Sequence, residues 1–180
     1  MNTKLIFAGY GGQGALLSGQ LIAYAAMLED KHVTWFPSYG PEMRGGAANC
    51  SVIISDKRIG SPIIQNADAV IALNQPSFDK FEAQVKPGGV IIYNTSMTDA
   101  SLKESRTDIK YAGIPISEMA NELGNLKVAN MIALGCLNEI ISCTKNESLI
   151  EALKYKLGEK KANLIELNKV AMEKGKEAAK

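Results

Sequence analysis

The stretch FAGYGGQGALLSGQ, residues 7–20, decides how this chain folds, because it places four glycines between an apolar run and the start of a helix. The consecutive apolar residues Leu5, Ile6 and Phe7 predict a short buried strand over 4–8. After the glycines, apolar side chains recur at helical spacing as far as Leu28, which predicts a helix. A strand, a glycine turn and a helix in this order indicate the first unit of an α/β domain.

The next two predicted strands indicate a change of direction in the sheet. Residues 32–36 and 47–55 have the composition of strands, and the segment PSYGPEMRGG between them, residues 37–46, contains two prolines and three glycines, which argues against a regular element there. A parallel crossover needs about a dozen residues or more. If these strands are neighbours, we therefore expect them to be antiparallel and the sheet to be mixed.

A second βαβ unit follows in the middle of the chain. Buried strands are expected at 69–73 and 90–93. Between them, a helix is expected to open at Pro76 and to stop before Pro-Gly-Gly at 87–89. A weaker strand is expected at 109–112.

The last part of the chain predicts helices. A short helix runs to Leu123, and residues 128–142 are apolar on nearly all sides, which predicts a buried helix. Two amphipathic helices close the chain, the first capped by Asn146 and the second ending in EKGKEAAK, residues 173–180, which we expect to be frayed.

These elements predict a three-layer α/β/α fold with a mixed, mostly parallel sheet and C-terminal helices. The 180 residues, of which 46% are hydrophobic, suffice for one core. We divide the chain into an α/β domain over 1–144 and a helical C-terminal extension over 145–180 that packs on it.

Composition and charge argue against several classes of protein. The 20 basic and 19 acidic residues leave a formal charge of +1, which gives no reason to expect nucleic acid or a membrane surface as a partner. No apolar run approaches the ~18 residues of a spanning helix, and residues 1–4 do not begin a secretory leader, so we expect a cytoplasmic protein. Cys50, Cys136 and Cys143 form no C-x-x-C pair and are predicted to be buried free thiols.

The glycine loop admits three interpretations. Residues 9–14 match the G-x-G-x-x-G pattern, in which bare amides and a helix N-terminus approach a phosphate. A dinucleotide site also needs an acidic residue at the end of the second strand, but this chain has Trp35-Phe36-Pro37 there. A Walker loop needs Lys and then Ser or Thr directly after its last glycine, but this chain has Ala15-Leu16. The third interpretation is a plain tight turn, for which Gly12→Ala at ordinary φ would cost about 1 kcal/mol at most.

The loop after the second strand has an unusual composition. The stretch WFPSYGPEMRGGAAN, residues 35–49, combines aromatic residues, prolines and a glycine pair with one arginine. Such a stiff loop is suited to present Arg44 and Glu42 to a partner or an anionic ligand. The alternative is an elaborate structural turn in which Trp35 and Phe36 belong to the core.

Several motifs in a fixed order resemble the gamma subunit of the 2-oxoacid:ferredoxin oxidoreductases. They are GYGGQG, TWFPSYGPEMRGGAANCSVIISD, IGSPII, ADAVIALNQPS and VKPGGVIIYNTS, and the resemblance covers about residues 4–141. The pyruvate branch of that family tends to carry a second arginine followed by Ala-Pro in the central loop. This chain instead has Glu42-Met43-Arg44-Gly45-Gly46, which is more similar to the 2-oxoisovalerate and 2-oxoglutarate branches.

The resemblance implies a complex that oxidatively decarboxylates a 2-oxoacid on thiamine diphosphate, passes electrons through iron–sulfur clusters to ferredoxin and releases the acyl group on coenzyme A. Alpha and beta subunits and a ferredoxin-like delta subunit or domain would hold the thiamine diphosphate, Mg and clusters. This chain has no Gly-Asp-Gly motif and no cluster-type cysteine spacing. Alone it is expected to hold no cofactor and to be inactive.

We expect the chain to contribute to coenzyme A binding and to subunit assembly, with both loops at one rim of the sheet. No catalytic residue or metal ligand is nominated, because the single histidine, His32, has no general-base partner. The alternatives are an assembly subunit whose loops bind only protein and a free-standing nucleotide-binding enzyme. The candidate binding residues are Gly9, Gly11, Gly12, Gln13, Gly14, Ser38, Tyr39, Arg44, Gly45, Asn74 and Gln75.

Overall fold

A computed structural model describes residues 1–39, 47–99, 102, 104–158 and 161–180 of the chain. Six strands form one sheet in the order β2-β3-β1-β4-β5-β6. The strands are Asn2–Tyr10 (β1), His32–Tyr39 (β2), Ala47–Ser55 (β3), Ala67–Ala72 (β4), Val85–Asn94 (β5) and Lys110–Ile114 (β6). The α-helices are Ala15–Leu28 (α1), Gln75–Phe81 (α2), Ile116–Glu122 (α3), Ala129–Ile141 (α4), Asn146–Leu157 (α5) and Ala162–Ala178 (α6).

The sheet is mixed, as predicted. Strand β3 is antiparallel to both β2 and β1, whereas β1, β4, β5 and β6 are parallel to their neighbours in that series. The expected antiparallel pairing of the second and third strands is therefore confirmed. Two reversals bring β2 back into the direction of β1, so the carboxyl ends of five strands lie at one edge of the sheet.

Helices cover the two faces of the sheet unequally. On one face, side chains such as Leu5, Phe7 and Ile92 are buried under α1 and the helices from α3 to α6. On the other face, Phe78 and Phe81 of α2 pack against Ile6, Val70 and Ile91. The predicted fold class is confirmed, with most of the helical mass on one face. Within the described residues, no helix is both long and apolar enough to cross a membrane.

The predicted end of the second helix is wrong. Helix α2 ends at Phe81, a single 3₁₀ turn follows over Glu82–Gln84, and β5 already begins at Val85. The Pro-Gly-Gly run at 87–89 lies inside that strand, where the register with β4 shifts. Gly88 has a φ of 78°, which a glycine adopts readily, so the run forms an irregularity in a strand and does not terminate a helix.

The predicted cap of α5 is also wrong. Lys145 occupies the N-cap position without a side-chain hydrogen bond to the helix, and Asn146 is the first helical residue. The side chain of Asn146 has another partner, because its Oδ1 accepts a hydrogen bond of 3.1 Å from Nδ2 of Asn138 in α4. This contact joins the start of α5 to the buried helix.

The end of the chain is not frayed as predicted, because α6 continues to Ala178 and packs closely on α4. A Cβ atom on Gly175 would lie far inside van der Waals contact of the Ile132 carbonyl oxygen, and one on Gly135 would meet the Met172 carbonyl oxygen in the same way. Two bare glycines thus let two helix backbones touch. Side chains of α5 and α6 belong to the same buried cluster as those of the sheet and α1, while a boundary at 144/145 stays a prediction.

Candidate functional site

The candidate site lies where the carboxyl ends of the strands meet. Strand β1 continues into the glycine loop and then into α1 on one face of the sheet, whereas the neighbouring strand β4 continues into α2 on the other face. Connections that diverge in this way open a crevice between adjacent parallel strands, and open α/β sheets bind ligands there. The topology therefore puts the glycine loop at the position expected of a binding loop.

The glycines of this loop have different structural roles. Gly14 has a φ of 83°, its carbonyl oxygen accepts from Nδ2 of Asn130 at 3.2 Å, and a Cβ atom would collide with that side chain. Gly12 has a φ of 94°, and apart from its chain neighbours no described residue has a heavy atom within 4 Å of where its Cβ would be. The assumption of an ordinary φ at Gly12 is wrong, so Gly12→Ala would add backbone strain to any effect on a ligand.

Several backbone amides of the loop have no partner within the protein. The N–H groups of Gly11, Gly12 and Gly14 make no hydrogen bond to another described residue, whereas that of Gln13 donates to the Tyr10 carbonyl at 3.1 Å. Gly11 and Gly12 are exposed, so their amides are available to an anion or to a partner's carbonyl group.

Gln13 and Asn74 tie the ends of β1 and β4 together. Oε1 of Gln13 accepts from the Tyr10 N–H at 2.6 Å and from Nδ2 of Asn74 at 2.9 Å, and its Nε2 donates to the Leu73 carbonyl at 3.4 Å. Oδ1 of Asn74 accepts from the Ser77 N–H at 2.9 Å and so caps α2. Since Asn74 is only 1% exposed, its side chain positions the loop and does not present itself to solvent.

We expect Gln13→Ala to lower the free energy of unfolding by about 2 kcal/mol, because the change removes three hydrogen bonds and leaves the buried Asn74 amide without its acceptor. Urea denaturation measures the loss. Gln20→Ala is the control, since Gln20 is also half-buried but its side chain has no hydrogen-bond partner among the described residues. Equal stability of the two variants would contradict this role for Gln13.

The other candidate residues differ in what they offer a ligand. Gln75 uses both polar side-chain atoms within the protein, since Nε2 donates to Asp79 at 2.8 Å and Oε1 accepts from the Asp99 N–H at 2.8 Å. Ser38 is exposed at the carboxyl end of β2, and Tyr39 pairs there with Ala48. Arg44 and Gly45 lie outside the described residues, so their placement is not tested.

Strand register places the end of β1, where the glycine loop begins, and the end of β2 at one edge of the sheet. Tyr10 at the end of β1 pairs with Ala47, and Tyr39 at the end of β2 pairs with Ala48, so only β3 separates the two strand ends. Just before this edge, Phe36 is 47% exposed, whereas Trp35 is half-buried against the core. Phe36 is therefore not the core residue that the structural-turn alternative requires.

A crevice of about 200 Å³ opens beside the glycine loop toward the ends of β5 and β6. Sequence reasoning missed three of its polar residues, Asn94, Ser117 and Lys127. Asn94 could have been found, because it stands at the carboxyl end of a predicted buried strand. The residues lining the crevice are Gly12, Gln13, Leu73, Asn94, Met97, Ser117, Leu126, Lys127 and Ala129.

The described residues that line the crevice include no histidine, cysteine or carboxylate. The described residues contain no group of three or more His, Cys, Asp or Glu placed to hold a metal ion. All three cysteines are buried and free, as predicted, and burial raises the pKa of each thiol to about 12. At neutral pH the thiols are therefore protonated, which makes them poor nucleophiles and poor metal ligands.

A sequence profile of the family described as pyruvate ferredoxin/flavodoxin oxidoreductase matches residues 4–178, beyond the limit near 141 expected from the motifs. The chain is 38% identical over 178 residues to the ketoisovalerate oxidoreductase subunit VorA of Methanothermobacter marburgensis, covering 98% of this chain and 36% of that subunit. It thus spans about a third of the length of that relative. To the 2-oxoglutarate synthase subunit KorC of Methanocaldococcus jannaschii it is 34% identical over 182 residues, covering 100% and 95%.

Two solved structures are similar over nearly the whole chain. The gamma subunit of a keto/oxoacid ferredoxin oxidoreductase from Geobacter sulfurreducens matches with a TM-score of 0.82 and 32% identity, covering 98% of each chain. The 2-oxoglutarate:ferredoxin oxidoreductase from Magnetococcus marinus, with 2-oxoglutarate, coenzyme A and succinyl-CoA bound, matches with a TM-score of 0.90 and 29% identity. That match covers 99% of this chain and 31% of the Magnetococcus chain.

Proposed function

The chain belongs to the pyruvate ferredoxin/flavodoxin oxidoreductase family, and we propose that it is the gamma subunit of a complex that oxidises a 2-oxoacid to an acyl-CoA with ferredoxin as electron acceptor. Within that complex the chain contributes to coenzyme A binding and to subunit assembly. The 2-oxoacid belongs to the 2-oxoisovalerate or 2-oxoglutarate class, which the similarity to VorA and KorC supports.

One observation carries the coenzyme A part of the proposal. The Magnetococcus oxidoreductase, whose match covers 99% of this chain, was solved with coenzyme A and succinyl-CoA bound. The amides of Gly11, Gly12 and Gly14, which have no partner among the described residues, suit a phosphate, because they lie just before or at the N-cap of α1, where the helix adds partial positive charge. Arg44 would bind a second phosphate or a partner carboxylate.

The residues proposed from the sequence divide into two groups. The glycine loop, with Ser38 and Tyr39 at the neighbouring strand end, would contact the ligand or a partner. The second group is Gln13, Asn74 and Gln75. Their side chains form hydrogen bonds within the protein, and they contribute by holding the loop in place.

The proposed partners are the subunits that would hold the cofactors of the reaction. Thiamine diphosphate, Mg and iron–sulfur clusters supply the decarboxylation and electron transfer, and alpha, beta and ferredoxin-like delta subunits or domains would hold them. The exposed Phe36 on the edge strand β2 supports a contact with such a partner, since an edge strand and an exposed aromatic side chain are both suited to protein association.

Calorimetric titration of the assembled complex with coenzyme A tests this function. We expect one saturable site for each copy of this chain and no such site in the partner subunits alone. Equal binding by the partner subunits alone would reduce the chain to an assembly subunit. Saturable binding of NAD by the isolated chain would favour the free-standing nucleotide-binding enzyme instead.

A further inference from the structure

We infer that the crevice beside the glycine loop takes the pantetheine arm of coenzyme A and that Lys127 binds the phosphate at the end of that arm. The inference rests on the proposed function and specifies which part of the ligand enters this chain. It assigns a binding role to Lys127, Ser117 and Asn94, residues that the glycine-loop pattern does not include.

The size of the crevice limits what can enter it. Its volume is about 200 Å³, whereas pockets that enclose drug-sized ligands measure roughly 300–1,000 Å³. The crevice therefore accommodates one elongated part of a large ligand, and the remainder lies outside.

The walls of the crevice favour an alkyl chain over a nucleotide base. The apolar residues among the described lining are aliphatic or thioether side chains, namely Leu73, Met97, Leu126 and Ala129. Bases stack favourably on aromatic rings, and the described lining of the crevice contains none. Met97 and Leu126 are 42% and 55% exposed, so a bound chain would cover apolar surface that is now in contact with water.

The polar groups of the crevice are placed for amides. Asn94 is buried and fixed, because its Oδ1 accepts from the Ser96 and Ser117 N–H groups and its Nδ2 donates to Oγ of Ser117 at 2.8 Å. Oγ of Ser117 thus uses an acceptor position within the protein and donates to no described residue. Its hydroxyl hydrogen can donate to an amide carbonyl, and the pantetheine arm carries two such carbonyls.

Lys127 brings a positive charge to the same crevice from a fixed backbone position. It lies in the 3₁₀ turn Leu126–Val128, its N–H donates to Oδ1 of Asn125 at 3.0 Å, and the next residue, Val128, is buried in the core. The side chain is exposed, and its ammonium group makes no ion pair with a described residue. A phosphate at the mouth of the crevice would therefore meet both this ammonium group and the amide of Gly12.

Two fragments of coenzyme A test the assignment in calorimetric titrations of the assembled complex. Lys127→Gln should weaken the binding of 4′-phosphopantetheine about tenfold, the effect of one charge-assisted hydrogen bond, and leave adenosine 3′,5′-bisphosphate unaffected. Lys127→Arg should restore most of the affinity. The control is Lys110→Gln, which removes an exposed, unpaired lysine at the amino end of β6, on the opposite edge of the sheet.

The outcomes separate this inference from the function on which it rests. If Lys127→Gln weakens the bisphosphate fragment instead, or neither fragment, while the complex still binds coenzyme A only when this chain is present, the inference is wrong and the proposed function stands. If coenzyme A binds equally without this chain, the proposed function fails as well.

Discussion

Replacing Gly12 by asparagine should raise the KM of the assembled complex for coenzyme A at least about tenfold while the chain stays folded. Gly12 has a φ of 94°, a region that asparagine tolerates better than most residues with a side chain. Apart from its two chain neighbours, no described residue has a heavy atom within 4 Å of where the Cβ would be, so the first atom of the new side chain has room. It would occupy the space in which we place the ligand.

Gly88→Asn is the matched control for this substitution. Gly88 also has a positive φ, 78°, and also has open space where a Cβ would be, but it lies near the amino end of β5, at the opposite edge of the sheet. Steady-state kinetics at varied coenzyme A compare the two variants. An unchanged KM in the Gly12→Asn complex would return the loop to a purely structural role.

The largest loss of stability is expected from Gly175→Ala in α6. The added methyl group would meet the main chain of α4 at Ile132, and a backbone cannot move aside as a flexible side chain can. We expect the free energy of unfolding to fall by about 3 kcal/mol, as for severe overpacking, or the chain to fail to fold.

Urea denaturation of Gly175→Ala and Gly60→Ala measures this effect. Gly60 has open space around its Cβ position and no positive φ, so Gly60→Ala should leave stability unchanged or slightly increased. If the Gly175→Ala chain is as stable as the Gly60→Ala chain, α4 and α6 do not pack closely. The C-terminal helices would then not be part of the core.

Local sequence rules predicted the mixed character of the sheet because connection length and strand direction are linked. The segment between residues 36 and 47 is too short for a crossover, so β2 and β3, once they are neighbours, have to be antiparallel. The rules failed where tertiary packing overrides composition. Residues 173–180 are polar and repetitive, yet the helix continues to Ala178. The close contact that Gly175 allows is with α4, about 40 residues earlier in the chain, so no local pattern indicates it.

The candidate site was predictable only in part, for a similar reason. The glycine loop is one contiguous pattern, so its place after β1 could be read directly from the sequence. Asn94, Ser117 and Lys127 come from three separate segments, and only the parallel order of β4, β5 and β6 brings them to one crevice. The internal hydrogen bonds of Gln13 and Asn74 were likewise hidden, because their spacing of 61 residues carries no local signal.

Reconstitution of the complex with and without this chain tests its role as a gamma subunit most directly. Partner subunits that hold thiamine diphosphate and iron–sulfur clusters are purified in both forms, and ferredoxin reduction is followed with a 2-oxoacid at varied coenzyme A. We predict that the chain co-purifies with these partners and that coenzyme A-dependent turnover requires it. The same rate and the same KM for coenzyme A in an assembly without the chain would contradict the account.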